Sequence, residues 1–82
     1  MIFGVYSIKD KLQGFINVLL YVNDDVAKRD FAYSVNNTPQ MAYQAADIDL
    51  YKIGTFDNKK GNLVPEKTCL FICNGREVLS EK

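Results

Sequence analysis

The sequence predicts an α+β domain, a small and mainly antiparallel β-sheet with one face covered by a single main helix. Two β-rich runs, Ile2–Ile8 and Phe15–Val22, come before a helix-like segment at Asn23–Asn37, and shorter β-rich runs follow it. The predicted order of elements is therefore ββ-α-βββ. Strands that are not interleaved with helices favour antiparallel pairing, and one amphipathic helix can cover only one face of such a sheet.

The predicted helix has the clearest pattern in the chain. An apolar side chain recurs at intervals of four residues from Ala27 through Phe31 to Val35, which gives one apolar stripe. Asn23 or Asp24 can cap the first free backbone N–H groups. The stripe ends before an Asn-Asn-Thr-Pro sequence, and proline pushes the preceding residue out of the helical region. We expect Phe31 to be the most buried of these side chains.

The two runs before the helix are expected to form a hairpin. Ile2–Ile8 is the first strand, and Lys9–Gly14 is a polar connection that ends in glycine, which suits a hairpin loop. Phe15–Val22 is mostly apolar, which is typical of a strand that is central or covered on both faces. After the helix, Thr38–Asp47 is expected to be either one irregular helical turn or a loop.

The clearest strand of the second half is Ile48–Phe56. Its apolar residues alternate, and strict alternation would place Gly54 on the same face as Leu50, with Tyr51 on the opposite face. Asp57–Asn62 is the strongest turn signal in the chain.

Two short strands are predicted after this turn. The first begins at Leu63, and Pro65 either places it at a sheet edge or breaks it. Cys69–Cys73 is the second. The segment Arg76–Lys82 is expected to be a frayed tail.

Length and composition favour one globular domain over residues 1–82. The chain is 48% hydrophobic and 24% charged, so it is not of the disordered class. Ten acidic residues balance ten basic ones. A zero net charge argues against a purely electrostatic hold on nucleic acid, for which a basic domain is usual.

Membrane, metal and enzyme functions are not indicated. No apolar run approaches the ~18 residues that span a bilayer, and the N-terminus lacks the basic region of a secretory signal, so a cytosolic protein is expected. Cys69 and Cys73 occur in a chain without histidine and cannot complete a zinc site alone. We expect them to be free thiols that are buried or half-buried, and we expect no cofactor. No base for activating a thiol and no phosphate-binding glycine loop is present, so no enzymatic activity is expected.

Three segments together resemble a known family. They are YSIKD at Tyr6–Asp10, VAKRDF at Val26–Phe31 and DLYKIGTFDNKKG at Asp49–Gly61. In this order they are similar to the small non-structural protein of gokushovirus-type microviruses, which are phages with small circular single-stranded DNA genomes. The chain lacks two prolines that are frequent in that family, one near the end of the second strand and one before the third, where it has Ala45-Ala46. Both differences affect connections between elements.

The resemblance implies a protein that is made in the cytoplasm of the infected bacterium and is not part of the mature virion. Such a protein is expected to assist synthesis of the single-stranded genome or its packaging. The resemblance supplies no active site.

One hypothesis is that the protein binds single-stranded DNA. Single-strand binders stack bases on aromatic rings and neutralise phosphates with nearby bases, and this chain has aromatic and basic residues close together in sequence. The candidate residues are Tyr6, Lys28, Arg29, Tyr33, Tyr51, Lys52, Lys59 and Lys60. Taken singly, each also has a structural explanation, because tyrosines are common in sheets and turn lysines are commonly solvated.

The alternative hypothesis is a homodimeric protein-interaction module without direct DNA contact. Its partner would be a phage replication or procapsid protein or a host factor. The uncovered face of the sheet would carry whichever apolar residues of the strands point away from the helix, and a small sheet with such a face commonly dimerises. The candidates for this face are Tyr6, Ile8, Tyr51 and Ile53.

Overall fold

The computed structural model describes residues 1–80 and contains one five-stranded antiparallel sheet with helical elements on one face. In chain order the elements are β1 (Ile2–Asp10), β2 (Gly14–Phe15), β3 (Leu19–Tyr21), α1 (Asp24–Asn37), α2 (Pro39–Tyr43), a 3-10 turn (Ala45–Asp47), β4 (Ile48–Asp57), β5 (Asn62–Asn74) and α3 (Gly75–Val78). The predicted α+β class is confirmed, with α1 as the main helix.

The long strands β1 and β4 form the centre of the sheet. The strand order is β2-β1-β4-β5, and β3 pairs with β1 on the same edge as β2. Every pairing is antiparallel. The order of elements agrees broadly with ββ-α-βββ, except that the predicted second strand is split in two and the last two predicted strands form the single strand β5.

The run Phe15–Val22 was expected to be central or covered on both faces, and the structure places it at the sheet edge instead. β1 pairs with β4 along its whole length. β2 and β3 therefore can pair only with the other edge of β1. Asn17 interrupts this edge, because its side-chain oxygen accepts the Ile8 N–H at 2.8 Å in place of a backbone carbonyl. The apolar side chains of Val18 and Leu20 are therefore 68% and 48% exposed.

Local sequence explains α1 and α2, the two helices that come directly after β3. Asn23 caps α1 by accepting the Val26 N–H at 2.9 Å, and the Thr38 N–H bonds to the Ser34 carbonyl at its end. Pro39 occupies the start of α2, where its missing N–H is tolerated. The ambiguous segment after α1 is thus a short helix followed by a 3-10 turn.

The apolar stripe of α1 packs on one face of the sheet and forms the core. Phe31 is buried at 3% exposure, but it is not the most buried residue of the stripe as expected, because Ala27 and Val35 are both 0% exposed. Buried residues of β1, β4 and β5 face it from the sheet. The buried core residues are Tyr6, Ile8, Ala27, Phe31, Val35, Ala45, Ile48, Leu50 and Cys73.

A bulge at Ile53 reverses the alternation of β4. Tyr51 pairs with Ser7 and Gly54 pairs with Val5, so one extra residue of β4 lies between these two pairs. Ser7 and Val5 are two residues apart on β1 and share a face. Gly54 therefore lies on the same face as Tyr51, which differs from the strict alternation expected from the sequence.

The segment Arg76–Lys82 was expected to fray, and its described part is held in place. Gly75–Val78 forms a helical turn that the Asn74 side chain caps. The Asn36 side chain on α1 accepts the Ser80 N–H at 2.6 Å. These bonds tie the segment to α1, and residues 81–82 lie outside the described part.

Candidate nucleic-acid interface

The sheet has one face without a helical layer, which we call the open face. Pairing register identifies its side chains, because residues directly opposite one another on neighbouring strands share a face. Ser7, Tyr51 and Phe71 are successive partners across β1, β4 and β5. None of them belongs to the core beneath α1. The row therefore lies on the open face.

Three aromatic rings form a continuous row across this face, and we call Phe15, Tyr51 and Phe71 the aromatic row. The ring centroids of Phe15 and Tyr51 are 5.5 Å apart, and those of Tyr51 and Phe71 are 5.7 Å apart. Both contacts are edge-to-face, a favourable arrangement of two aromatic quadrupoles. Phe15 is 45% exposed and Phe71 is 52% exposed. The row thus combines fixed ring orientations with accessible aromatic surface.

Lys9 brings a positive charge to the aromatic row. Its Nζ atom lies 5.4 Å from the centroid of the Phe15 ring and 5.8 Å from that of Tyr51. Such cation–π contacts contribute roughly 0.5–1 kcal/mol at exposed sites. Lys9 also pairs in register with Asp49, so the open face is not strongly basic.

Tyr6 is placed in the core and is not available for stacking on a base. It is 0% exposed, and its hydroxyl donates a 2.5 Å hydrogen bond to Asp24 at the start of α1. Tyr21 makes a similar bond from β3 to Asp30. Burial, and then the neighbouring carboxylate, raise the pKa of Tyr6 far above its usual value and that of Tyr21 to about 12. Both phenols are therefore neutral donors that hold α1 on the sheet.

The other candidates are dispersed over the molecule. Lys28, Arg29 and Tyr33 are exposed on α1, in the layer opposite the open face. Lys52 pairs in register with buried Tyr6 and lines a cleft on the helical side of the sheet.

The hairpin lysines lie at one end of the sheet. Lys59 and Lys60 occupy the β4–β5 turn, where their backbone N–H groups donate to the Asp57 carboxylate at 2.9 and 3.4 Å. This aspartate closes the turn, and Gly61 follows it with a positive φ of 71°. The turn chemistry read from the sequence accounts for this conformation.

Tyr51 is the predicted candidate that belongs to the aromatic row. Its neighbours Lys9, Phe15 and Phe71 were not among the candidates, because their proximity depends on strand register. The signal in the sequence was limited to an aromatic residue in each of three β-rich runs. Without the pairing of β2 and β5 to the central strands, that signal does not place the three rings together.

Other kinds of site find no support in the part of the chain that the structure describes. Within it, no group of three potential metal-ligating side chains occurs. All buried side-chain polar atoms of residues 1–80 have a hydrogen-bond partner. No helix of this part is long and apolar enough to cross a membrane.

Comparison with known proteins identifies a family that covers almost the whole chain. Residues 3–78 match the family model described as Phage ORF5 protein. The match spans every strand of the sheet, α1 and α3, so it includes both the core and the open face. No curated protein and no solved structure matched the chain. The chain is a member of the Phage ORF5 protein family.

Proposed function

We propose that this phage protein is a non-structural accessory protein that binds single-stranded DNA on the open face. Through that binding it assists replication of a single-stranded genome or its packaging. The observation that carries the proposal is the aromatic row with Lys9 beside it. The family membership supports a phage protein, and the similarity to microvirus non-structural proteins supports a single-stranded DNA genome.

The aromatic row suits base stacking for a physical reason. Every base has a π-face, so exposed aromatic rings bind single strands with little dependence on sequence, at about 1–3 kcal/mol per stacked base. Phe15 and Phe71 are each about half exposed, and the edge-to-face contacts with Tyr51 keep their orientations fixed. Little side-chain entropy then remains to be lost on binding.

The charges of the open face predict that electrostatic attraction contributes little to DNA binding. Lys9 is positioned to contact a phosphate, but Asp49 is its neighbour across the sheet, and the chain has a net charge of zero. Each phosphate contact to a single strand contributes a slope of about 0.7 in log–log plots of affinity against salt. We therefore expect moderate affinity with a shallow salt dependence, in which stacking supplies most of the binding free energy.

The site of action follows from the same proposal. Binding to a replicating or newly displaced single strand takes place in the cytoplasm of the infected bacterium. A protein with this role acts before the capsid is complete and is not retained in the mature virion. Infected-cell fractions and purified virions, compared by immunoblotting with an antibody to this chain, test that assignment directly.

Fluorescence anisotropy of a labelled single strand of about 30 nucleotides tests DNA binding. We expect binding to the single strand in preference to a duplex. Phe71→Leu keeps an apolar side chain but removes the ring, and should weaken affinity by roughly tenfold. Lys9→Gln should lower the salt slope by about 0.7.

Tyr33→Leu is the matched control for loss of a ring. Tyr33 is 68% exposed on α1, outside the open face, so its removal should leave the affinity unchanged. The double variant with Lys59→Glu and Lys60→Glu tests separately whether the hairpin turn contributes to DNA affinity. The proposal would be contradicted if Phe71→Leu and Tyr33→Leu lost DNA affinity equally, or if the wild-type protein did not bind the single strand.

A second candidate function is protein–protein interaction through the open face. It is favoured by the apolar side chains beside the aromatic row, since Val18 and Leu20 are exposed on the neighbouring edge. Exposed apolar surface of this kind marks interaction sites, and the occupant would be a second copy, a phage replication or procapsid protein, or a host factor. A stable dimer in light scattering, together with no binding of single-stranded DNA, would select this function over the first.

A further inference from the structure

The junction of β5 and α3 contains the dipeptide Asn74-Gly75, whose sequence favours one chemical modification. When glycine follows asparagine, the glycine backbone nitrogen can attack the asparagine carboxamide with little steric hindrance, because glycine has no side chain. This reaction is deamidation, and it converts asparagine to aspartate or isoaspartate. In a folded protein its rate depends on whether the carboxamide and the glycine nitrogen are free to meet.

The folded structure holds the Asn74 carboxamide through both its nitrogen and its oxygen. The Nδ2 atom donates to the carbonyl oxygens of Ala46 and Ile48 at 3.1 and 3.2 Å and to Oδ1 of Asp49 at 2.7 Å. The Oδ1 atom accepts the Arg76 N–H at 3.0 Å. This side chain therefore joins α3 to the 3-10 turn and to the start of β4.

Gly75 is confined as well. It is buried, and a Cβ atom at this position would lie 2.4 Å from the Ala45 carbonyl oxygen. The backbone of the 3-10 turn thus packs directly against Gly75, so the main chain cannot rotate freely there while this contact is intact. Attack on the Asn74 carboxamide therefore requires that the chain first opens away from the 3-10 turn.

Asn36 on α1 holds the same part of the chain, residues 75–80, which we call the α3 segment. Its Nδ2 atom donates to the Val78 carbonyl oxygen at 2.9 Å, and its Oδ1 atom accepts the Ser80 N–H at 2.6 Å. Opening of the α3 segment breaks these two bonds together with those of Asn74. Local opening of this kind costs less free energy than global unfolding, so it is the route by which the folded protein reaches a reactive state.

We propose that Asn74 is a deamidation site that the closed α3 segment protects, and that its deamidation keeps the segment open afterwards. In the open segment the Gly75 nitrogen bonds to Cγ of Asn74 and the Cγ–Nδ2 bond breaks. The Gly75 proton leaves with the side-chain nitrogen as ammonia. Water then opens the cyclic imide at Cγ, which gives aspartate, or at the main-chain carbonyl carbon, which gives isoaspartate. This inference does not depend on DNA binding.

The product lacks the bonds that close the α3 segment. A carboxylate has no N–H to donate, so the carbonyl oxygens of Ala46 and Ile48 lose their donor. It also places a second negative charge against the Asp49 carboxylate, where the wild-type protein has a 2.7 Å hydrogen bond. Unpaired acceptors and like charges in contact both favour the open segment. Because ammonia is lost, each molecule makes this change once.

Mass spectrometry of the protein during incubation at mildly alkaline pH tests the protection. Replacement of NH₂ by OH increases the mass, and peptide mapping assigns the increase to Asn74. A synthetic peptide of residues 70–80 is the reference for the open segment. The wild-type protein should deamidate at least about a hundredfold more slowly than this peptide, because opening breaks several hydrogen bonds at once.

Two neighbouring variants on α1 identify the contacts that protect Asn74. Asn36→Ala should raise the rate of deamidation roughly tenfold, because it removes two hydrogen bonds that hold the α3 segment. Asn37→Ala is the matched control, since the Asn37 side chain donates to the Tyr33 carbonyl oxygen within α1. It should deamidate at the wild-type rate.

Hydrogen exchange of the Ser80 amide in Asn74→Asp tests the effect of the product. This amide should be protected in the wild-type protein and should exchange roughly tenfold faster or more in the variant. Asp49→Asn, added to Asn74→Asp, removes the like charge and supplies a donor, so it should restore part of the protection. Wild-type protein that has been deamidated by incubation should also unfold at a lower urea concentration than fresh protein.

Each half of the proposal has an outcome that overturns it. Protection by the closed α3 segment is overturned if the wild-type protein deamidates as fast as the peptide, or if Asn36→Ala and Asn37→Ala deamidate at the same rate. Release of the segment is overturned if the Ser80 amide exchanges equally in Asn74→Asp and wild type, or if deamidation leaves the urea midpoint unchanged.

Discussion

Cys73 lies in the core where β5 passes beneath α1, and it is 0% exposed. Because a thiolate in this apolar setting is poorly solvated, burial raises the pKa of Cys73 from its ordinary value of 9.0 to about 11. The positive charge of Lys28 opposes this shift only in part. The thiol is therefore neutral and unreactive at physiological pH, as expected for a structural cysteine.

This shift predicts a loss of stability in alkali. Between pH 9 and 11 the unfolded chain releases the thiol proton while the folded chain retains it, so the free energy of unfolding falls as the pH rises. The stabilisation that the protonated Cys73 thiol provides is fully present below pH 9. Above that pH the free energy of unfolding falls with a slope that approaches about 1.4 kcal/mol per pH unit. Urea denaturation at pH steps from 8 to 9.5 measures it, because the tyrosine phenols of the unfolded chain, with an ordinary pKa of 10.0, are then still mostly protonated.

Two variants identify the group responsible. Cys73→Ala should lower the overall stability, because it leaves a cavity, and should flatten the decline above pH 9. Cys69→Ala keeps the buried thiol and should retain the decline that Cys73 causes. An unchanged pH profile in Cys73→Ala would show that another group is responsible.

At the level of elements, Gly54 is required where β4 and β5 approach one another beside the bulge. A Cβ atom at this position would lie 2.6 Å from the Val64 carbonyl oxygen and 3.2 Å from the Pro65 Cα. Both contacts are to backbone, which cannot move aside without changing the strand pairing. The bulge at Ile53 and the glycine therefore together allow β4 and β5 to approach closely at this point.

Gly54→Ala should destabilise the protein by about 1–3 kcal/mol, as expected for overpacking against a fixed backbone. Thr55→Val, at the next position of β4, is close in shape and keeps the branched side chain, so it should change stability by less than about 0.5 kcal/mol. Chemical denaturation of both variants measures the difference. Equal stabilities would mean that β5 can shift freely at this point.

Sequence reasoning was accurate where local chemistry decides the structure. The cap at Asn23, the stripe through Phe31 and the turn at Asp57–Asn62 are set by residues close in sequence, and α1 and β4 were located within one residue at most of their ends. The edge position of Phe15–Val22 was missed, because an apolar run is compatible both with a buried central strand and with an edge strand whose apolar side chains are exposed. Strand register places Phe71 beside Tyr51, and no local pattern encodes that.

For the whole molecule, burial is uneven along the sheet. The part of β4 next to the helices contains buried Ile48 and Leu50, whereas residues 57–65 of the β4–β5 hairpin include no buried side chain. The described chain is elongated, with principal extents of 44 × 23 × 16 Å. One end of the sheet is thus held by the core, and the other end is held mainly by strand pairing.

Hydrogen exchange should therefore divide the sheet into two regions. Backbone amides of Leu50 and Cys73 should exchange only through global unfolding, because their strands are fixed by the packed core. Amides of Phe56 and Leu63, near the hairpin end, should exchange faster by local opening. NMR-detected exchange at several denaturant concentrations distinguishes the two mechanisms, since only global unfolding becomes strongly more frequent with added denaturant. Uniform protection along β4 and β5 would instead mean that the hairpin is as stable as the core and that its lysines are presented on a rigid arm.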